Sequence, residues 1–353
     1  MTSEPVNVVL TGVGGGGHGE QILKALRLGK LSYRIIGTDM SAACANRGEV
    51  DEFVVLPSAR DPEYLARLTE LARTRKAAVI FHGSEPEMMV LSNARRELEA
   101  QGFYVPVNTP EVMAICQDKS RTLSHLATAG FRVPHYREIT ALEQVEGFDV
   151  FPAVLKPSVG GGGSANVFIV QSWPELEFFV RHLLEFCPKI VLQEYVGTSD
   201  AEYTVGVLFG RDGKLINSIG IRRIINNALT IRTRVPNRTS RHDLGASLIV
   251  STGISQGEVG DWPDILRACE AMAASLRPTA PVNIQCRVVD GQVVPFEINP
   301  RFSGTTSLRA IAGYNEPDVL VRRDVFGEEI EDHFAYAKPT ILRGLKEFAL
   351  NTH

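Results

Sequence analysis

The chemistry-bearing residues concentrate in "NIQCRVVDGQVVPFEINPR", residues 283–301. Gln285 falls on one strand of a hairpin and Glu297 on the other, with Asn299 two positions later on the same face by the period of two. A set of carboxylate and amide oxygens suits Mg2+, which takes oxygen ligands and bridges to nucleotide phosphates. If the strand continues, Arg301 brings a guanidinium to that face. A polar row on a strand is ordinarily a solvated face, but this one adjoins the apolar "VVPF".

Two glycine runs each offer a phosphate cradle. Gly12, Gly14 and Gly17 satisfy G-x-G-x-x-G after the run Val6 to Thr11, and Asp39 follows about 20 residues on. That is the dinucleotide fingerprint in its strand–turn–helix context, and it points to a nicotinamide-dependent oxidoreductase. The alternative is a tight turn in which glycine supplies positive φ and close packing. In the second run, Lys156 ends "AVLKP" just before Ser158 to Ser164, where backbone N–H groups and a lysine charge suit phosphate oxygens. A flexible surface hairpin is the competing reading. Glu194 and Glu202 flank a short linker between strands. A strand end there can hydrogen-bond an adenine edge and a carboxylate can hold ribose hydroxyls, although each glutamate alone reads as surface charge.

The elements that must position these residues change character along the chain. Up to about Pro110, β-rich runs ("VNVVL", "YRIIGTDM", "AAVIFHG") alternate with helical patterns, which argues for βαβ units and a parallel sheet. "VNTPEVMAICQDKSRTLSHLATAG" reads as helical pieces between a start signal at Asn108-Thr109-Pro110 and a stop at Gly130. From about Pro152 antiparallel strands dominate, with a turn at Arg211-Asp212-Gly213 and another at Asp290-Gly291, and with helices at "WPELEFFVRHLLEF" and "WPDILRACEAMAASL".

Composition narrows the function. The chain has 353 residues, 44% hydrophobic and 22% charged, enough for two or three packed units. A net charge of -4 and no run of like charges argue against a nucleic-acid partner. No stretch approaches the ~20 apolar residues of a membrane span, and the start lacks a basic n-region. Five scattered cysteines form no C-x-x-C pair, so a reducing cytoplasm is expected.

Taken together, "LKPSVGGGGS", "LQEYV", "EYTVGVL" and "FEINPRFSGTTSLRAIAG" resemble the ATP-grasp superfamily, in its carbamoyl-phosphate-synthase-like branch, over nearly the whole chain. The resemblance implies an α/β and α+β chain: a Rossmann-like pre-ATP-grasp domain that binds no dinucleotide (1–115), then a two-subdomain ATP-grasp fold. Residues 116–200 would form the lid subdomain with the glycine loop, and 201–353 the subdomain with the metal site. It implies ATP between the subdomains, with Lys119 and Lys156 on the phosphates and Gly161, Gly162, Gly163 and Ser164 closing over them. Glu194, Tyr195 and Val196 would meet adenine and Glu202 the ribose. Gln285, Glu297 and Asn299 would hold Mg2+, for which Mn2+ substitutes. Arg301 would face an acyl phosphate, with Lys156 beside the reacting groups; Arg223 in "GIRRIINN" is a further catalytic candidate read from the sequence itself.

Such enzymes phosphorylate a carboxylate with ATP and let an amine displace phosphate. A full carbamoyl phosphate synthase needs two such units and a biotin carboxylase needs further elements, so a single-unit carboxylate–amine ligase is the leading expectation. A carbamoyl-forming or small-acid-phosphorylating enzyme and the oxidoreductase remain alternatives. Substrate residues are sought among His18, Ser84, Glu85, Ser303 and Thr305, and the two arginines suggest an anionic acyl donor. The partners expected are a small carboxylic acid and an amine, with no nucleic acid or membrane; a homodimer is compatible.

Overall fold

The structure, a computed structural model, describes residues 4–15, 17–160 and 165–347. The first unit is a βα alternation: β1 (Val6–Leu10), α1 (His18–Arg27), β2 (Tyr33–Asp39), β3 (Glu52–Val55), α2 (Tyr64–Thr74), β4 (Val79–Phe81) and α3 (Glu85–Ala100). Its sheet has the order β3-β2-β1-β4 and all its pairings are parallel. Both faces are covered, and successive residues of β1 serve opposite cores. Val8 and Leu10 pack with Ile22 and Leu26 of α1, whereas Val9 packs with Leu68 of α2 and Leu91 of α3. Each such side chain contributes about 1.5–3 kcal/mol on burial.

Two short helices, α4 (Pro110–Cys116) and α5 (Lys119–Thr128), lead into a second sheet built from β5 (Tyr136–Ile139), β6 (Ala153–Pro157), β7 (Phe168–Val170) and β8 (Ile190–Glu194). Its order is β5-β8-β6-β7, antiparallel throughout. Helix α6 (Trp173–Leu184) covers one face with Leu176, Val180 and Leu183, the apolar stripe of an amphipathic helix.

The remainder comprises β9 (Glu202–Phe209), β10 (Leu215–Arg223), β11 (Ile231–Pro236), β12 (Ser247–Ser251), β13 (Gly257–Val259), α7 (Pro263–Ser275), β14 (Val282–Val289), β15 (Gln292–Asn299), α8 (Thr306–Ile311), α9 (Glu316–Leu320) and β16 (Thr340–Ile341). Six of these strands form a sheet in the order β15-β14-β9-β10-β13-β16, and β11 pairs with β12 as a separate ribbon. Asp290 and Gly291 both take positive φ (52° and 73°) in the tight turn between β14 and β15.

The two faces of the six-stranded sheet have different uses. Tyr203, Val205 and Val207 meet Cys269, Met272 and Ala273 of α7 in an apolar core. The alternate residues Glu202, Thr204 and Gly206 lie on the opposite face. There Arg309 crosses so closely that a Cβ on Gly206 would fall 2.2 Å from its Nη1, and its guanidinium pairs with Glu316 at 2.9 Å.

The chain then returns to its first unit. Phe302, Leu308 and Tyr314 belong to the same core as β1 and α1, so the segment after β15 packs on the first unit. Among the described residues, no helix is long and apolar enough to cross a membrane.

Candidate active site

One cleft lies between the four-stranded sheet and the polar face of the six-stranded sheet. Lys119, Lys156, Glu194, Tyr195, Val196, Glu202, Gln285 and Glu297, anticipated from sequence, all line it. The expected contacts of Gly161, Gly162, Gly163 and Ser164 lie outside the described residues.

Lys119 is the first residue of α5, and local geometry fixes it. Asp118 caps the helix by accepting from the backbone N–H groups of Ser120 (3.1 Å) and Arg121 (3.2 Å). The same carboxylate accepts from Ser158 Oγ at 2.6 Å and Lys189 Nζ at 2.6 Å. Lys119 N donates to Ser158 O (2.8 Å), and Lys119 Nζ donates to Gly160 O (2.9 Å). The helix start and the base of the second glycine run are therefore one hydrogen-bonded piece.

Lys156 crosses the cleft. Its Nζ donates to Phe296 O at 2.8 Å, and Phe296 is the extra residue of a β-bulge between the pairs Cys286–Pro295 and Gln285–Glu297. Burial and then the nearby Lys119 charge push the Lys156 ammonium down to about 7, against an opposing pull from Glu297.

Gln285 and Glu297 are register partners, and Gln285 Nε2 donates to Glu297 Oε2 at 2.9 Å. Asn299, the last residue of β15, accepts from Arg301 Nη2 through Oδ1 at 3.2 Å. The strand does not continue to Arg301: its N–H folds back to Asn299 O (2.9 Å), and its guanidinium reaches Glu85 at 3.0 Å, bridging to the first unit. Among the described residues no three His, Cys, Asp or Glu side chains converge on a metal position. The residues anticipated for a metal are one carboxylate and two amides, of which Gln285 and Glu297 line the cleft; their chemistry fits a hard, oxygen-seeking cation and does not fit a thiolate- or imidazole-seeking metal.

Two further anticipated residues are heavily bonded within the protein. Arg223, expected to face an acyl donor, is buried, with Nη1 donating to Glu202 and Ser251 and Nη2 to the carbonyls of Thr252 and Ile254. All four of its terminal N–H directions are occupied. Glu202, expected at the ribose, accepts from Arg223, Ser251 and twice from Arg287.

The substrate candidates divide. His18, the first residue of α1, faces His82 edge-on at 5.0 Å between ring centres. Burial and the adjacent Arg301 charge push His82 down to about 3 and His18 well below its ordinary value. Both are neutral near pH 7 and neither is basic enough to take a proton from an ammonium. Ser84 caps α3 by accepting from Glu87 N (3.4 Å), while Glu85 holds Arg301. Ser303 and Thr305 bond to each other at 2.6 Å in a buried turn that starts α8, away from the cleft.

The first glycine loop is closed on itself. Gly14 N donates to Asp39 Oδ2 at 2.8 Å, and a Cβ on Gly12 would lie 2.5 Å from Glu87 Oε2. Gly19 N, at the helix start, donates to Gly83 O at 3.2 Å. Carboxylates occupy the ground a pyrophosphate needs, so this loop is a packed strand-to-helix turn.

Sequence reasoning missed Arg287 and the ribbon residues Ile249 and Ser251, which also line the cleft. Arg287 shares the face of Gln285 two residues away, and the same period would have found it. The alternation in "TIRTRVP" signalled β11.

Residues 12–107 match the PylC-like N-terminal domain family, and residues 250–347 match the family described as ATP-grasp in the biosynthetic pathway with Ter operon. The large chain of carbamoyl phosphate synthase from Halomonas eurihalina is 25% identical over 299 residues, covering 80% of this chain and 26% of that one. The counterpart from Neisseria meningitidis serogroup B is 28% identical over 251 residues, covering 69% and 22%. The chain thus spans about a quarter of the length of these relatives. Among solved structures, an L-amino acid ligase from Bacillus licheniformis superposes with TM-score 0.63 at 18% identity, covering 91% of this chain and 74% of that one. A D-alanine–D-alanine ligase from Bacillus anthracis, complexed with ATP, gives 0.55 at 17%, covering 92% and 98%. Architecture and matched families agree: the chain has an ATP-grasp fold behind a PylC-like N-terminal domain.

Proposed function

We propose that this protein is an ATP-dependent ligase that activates a small carboxylic acid as an acyl phosphate and couples it to an amine. The observation that carries the reading is the convergence of Lys119, Lys156 and the Gln285–Glu297 pair on one cleft, with Lys156 tied across it to the bulge beside Glu297. The names of the superposed ligases support it, as do the carbamoyl phosphate synthase relatives.

In this reading the carboxylate oxygen attacks the γ-phosphorus, ADP leaves, and the amine nitrogen then attacks the acyl carbon and expels phosphate. Lys119 and Lys156 hold the transferring phosphoryl oxygens, and a phosphate beside Lys156 draws that ammonium back to its charged form. The backbone of Glu194, Tyr195 and Val196 offers an edge for adenine. Gln285, Glu297 and Asn299 would hold Mg2+, or Mn2+ in its place, which supplies charge neutralisation between phosphate oxygens. Arg301, joined to Asn299 and Glu85, lies where the metal strand meets the first unit and is assigned to the acyl phosphate. With burial and the Arg301 charge lowering the basicity of His18 and His82, the chain supplies alignment and charge more than proton transfer.

We further place the protein in the cytoplasm, as a homodimer, divided at 115/116 and 200/201. The test of function is ADP release from Mg-ATP with paired carboxylic acids and amines. Release that needs both partners supports the ligase. Release with the acid alone favours the carbamoyl-forming or small-acid-phosphorylating alternative, suggested by the carbamoyl phosphate synthase relatives. No release with any pair, together with NADH binding, refutes both.

A further inference from the structure

Glu202 begins β9, where the connection from β8 enters the six-stranded sheet, and its side chain is 1% exposed. Oε1 accepts from Arg223 Nη1 (2.7 Å) and Ser251 Oγ (2.6 Å). Oε2 accepts from Arg287 Nε (3.0 Å) and Nη2 (2.9 Å). A carboxylate offers about four acceptor directions, and here four donors fill them. Burial raises its proton affinity, but the two guanidinium charges outweigh that, so Glu202 stays ionised as their shared counter-ion.

Arg287 is equally committed. Besides Glu202, its Nη2 donates to Ile249 O (2.9 Å), and its Nη1 donates to Val196 O and Gly197 O (both 3.2 Å). These bonds use all five N–H groups of a guanidinium. The guanidinium also lies 4.8 Å from the ring centre of Tyr195, whose hydroxyl donates to Ile249 O and accepts from Ile249 N. Gly197 takes φ +59° against Arg287 and Val289, a backbone shape that a side chain would strain. One arginine therefore joins the 196–197 linker, the β12 ribbon and the start of β9.

We propose that the Glu202–Arg287 pair is a hinge clamp: it positions the 194–197 backbone to read a purine base and leaves the ribose hydroxyls unread by Glu202, so the cleft accepts a 2′-deoxynucleoside triphosphate as readily as ATP. The proposal rests on the nucleotide reading of this cleft. It makes Arg287 a positioning residue, and base edge and phosphates carry nucleotide selection.

The experiment compares ATP and dATP in steady-state ADP or dADP release by the wild-type protein, with calorimetric binding of both nucleotides in parallel. The expected kcat/KM values agree within about threefold, because no hydrogen bond to a charged group is lost. A carboxylate that held the 2′-hydroxyl would make dATP roughly ten- to a hundredfold worse. Arg287→Ala should raise KM for ATP at least tenfold while kcat moves less than threefold, and should introduce a preference for ATP by freeing Glu202 Oε2. Arg287→Lys, which keeps the charge without the fork, should show an intermediate KM. A tenfold or larger preference for ATP in the wild type overturns the proposal, as does an unchanged KM in Arg287→Ala. Failure of both nucleotides to bind overturns the nucleotide reading itself; use of ATP with refusal of dATP overturns only the clamp.

Discussion

Replacing Lys156 by Met should make the protein more stable near neutral pH while abolishing turnover. Lys156 is buried and its ammonium is pushed from 10.5 down to about 7. The unfolded chain therefore binds more protons than the native one between these values, and the cost of burying the charge is fully present below pH 7 and fades as pH rises toward 10.5. At about 1.4 kcal/mol per unit, the cost is of order 4 kcal/mol at pH 7 and about 1.5 kcal/mol at pH 9.5. Met keeps the chain length but forfeits the hydrogen bond to Phe296 O, leaving a carbonyl short of a partner at roughly 1–3 kcal/mol. The net expectation is a variant more stable by about 1–3 kcal/mol at pH 7, with an advantage about 2–3 kcal/mol smaller at pH 9.5. Urea unfolding of both proteins at the two pH values reads the difference, and ADP release reads the lost function. A difference that does not change with pH, or a variant less stable than wild type at pH 7, would refute the argument that Lys156 is held at an energetic cost.

Three further outcomes follow from the same geometry. Glu297→Gln removes the single carboxylate of the oxygen set while keeping its shape beside Gln285; ADP release should fall at least about a hundredfold with the thermal midpoint nearly unchanged. Gly206→Ala puts a methyl 2.2 Å from Arg309 Nη1 in a packed interior, and urea unfolding should show a loss of about 1–3 kcal/mol or more. Asp118→Ala removes the cap of α5 at a cost of about 1 kcal/mol, and it releases Ser158 and Lys189 as well; KM for ATP should rise more than kcat falls, because Lys119 loses its fixed position against Gly160.

The parts of the fold that were legible in the sequence are those whose signal is local. The βα alternation before Pro110, the Asp290-Gly291 turn and the amphipathic stripe of α6 each follow from periodicity or turn chemistry in one short window. The oxygen row on β14 and β15 was legible for the same reason, since a period of two and a tight hairpin place Gln285 opposite Glu297 without reference to the rest of the chain. Arg301 leaves the strand face because a bend after Asn299, invisible to periodicity, turns it toward Glu85, 216 residues away in sequence. The ion-pair cluster of Arg223, Glu202 and Arg287 was not legible for a related reason. A charged residue facing a cleft and one neutralised beneath it have the same sequence pattern, and only the four donors around Glu202 distinguish them.

The two glycine runs make the same point in electrostatic terms. Both follow strands, and both supply backbone N–H groups, yet the groups that tertiary structure brings to them have opposite sign. Asp39 binds the amide of Gly14 and Glu87 lies under Gly12, so the first run meets acidic side chains and at least one of its donors is engaged. Gly160, the last described residue before the rest of the second run, is bonded to Lys119, and the run follows closely on Lys156 in sequence, so the described residues at its base carry positive charge. An anion bound at the first loop would face the Asp39 carboxylate beside Gly14, whose like charge opposes it. At the second loop the same anion would relieve the repulsion between Lys119 and Lys156 that helps push Lys156 down to about 7. The glycine spacing is common to turns and cradles; the partners differ, 25 to 75 residues away in one case and 41 residues away in the other, and their charge is what supports the proposed phosphate role of the second run.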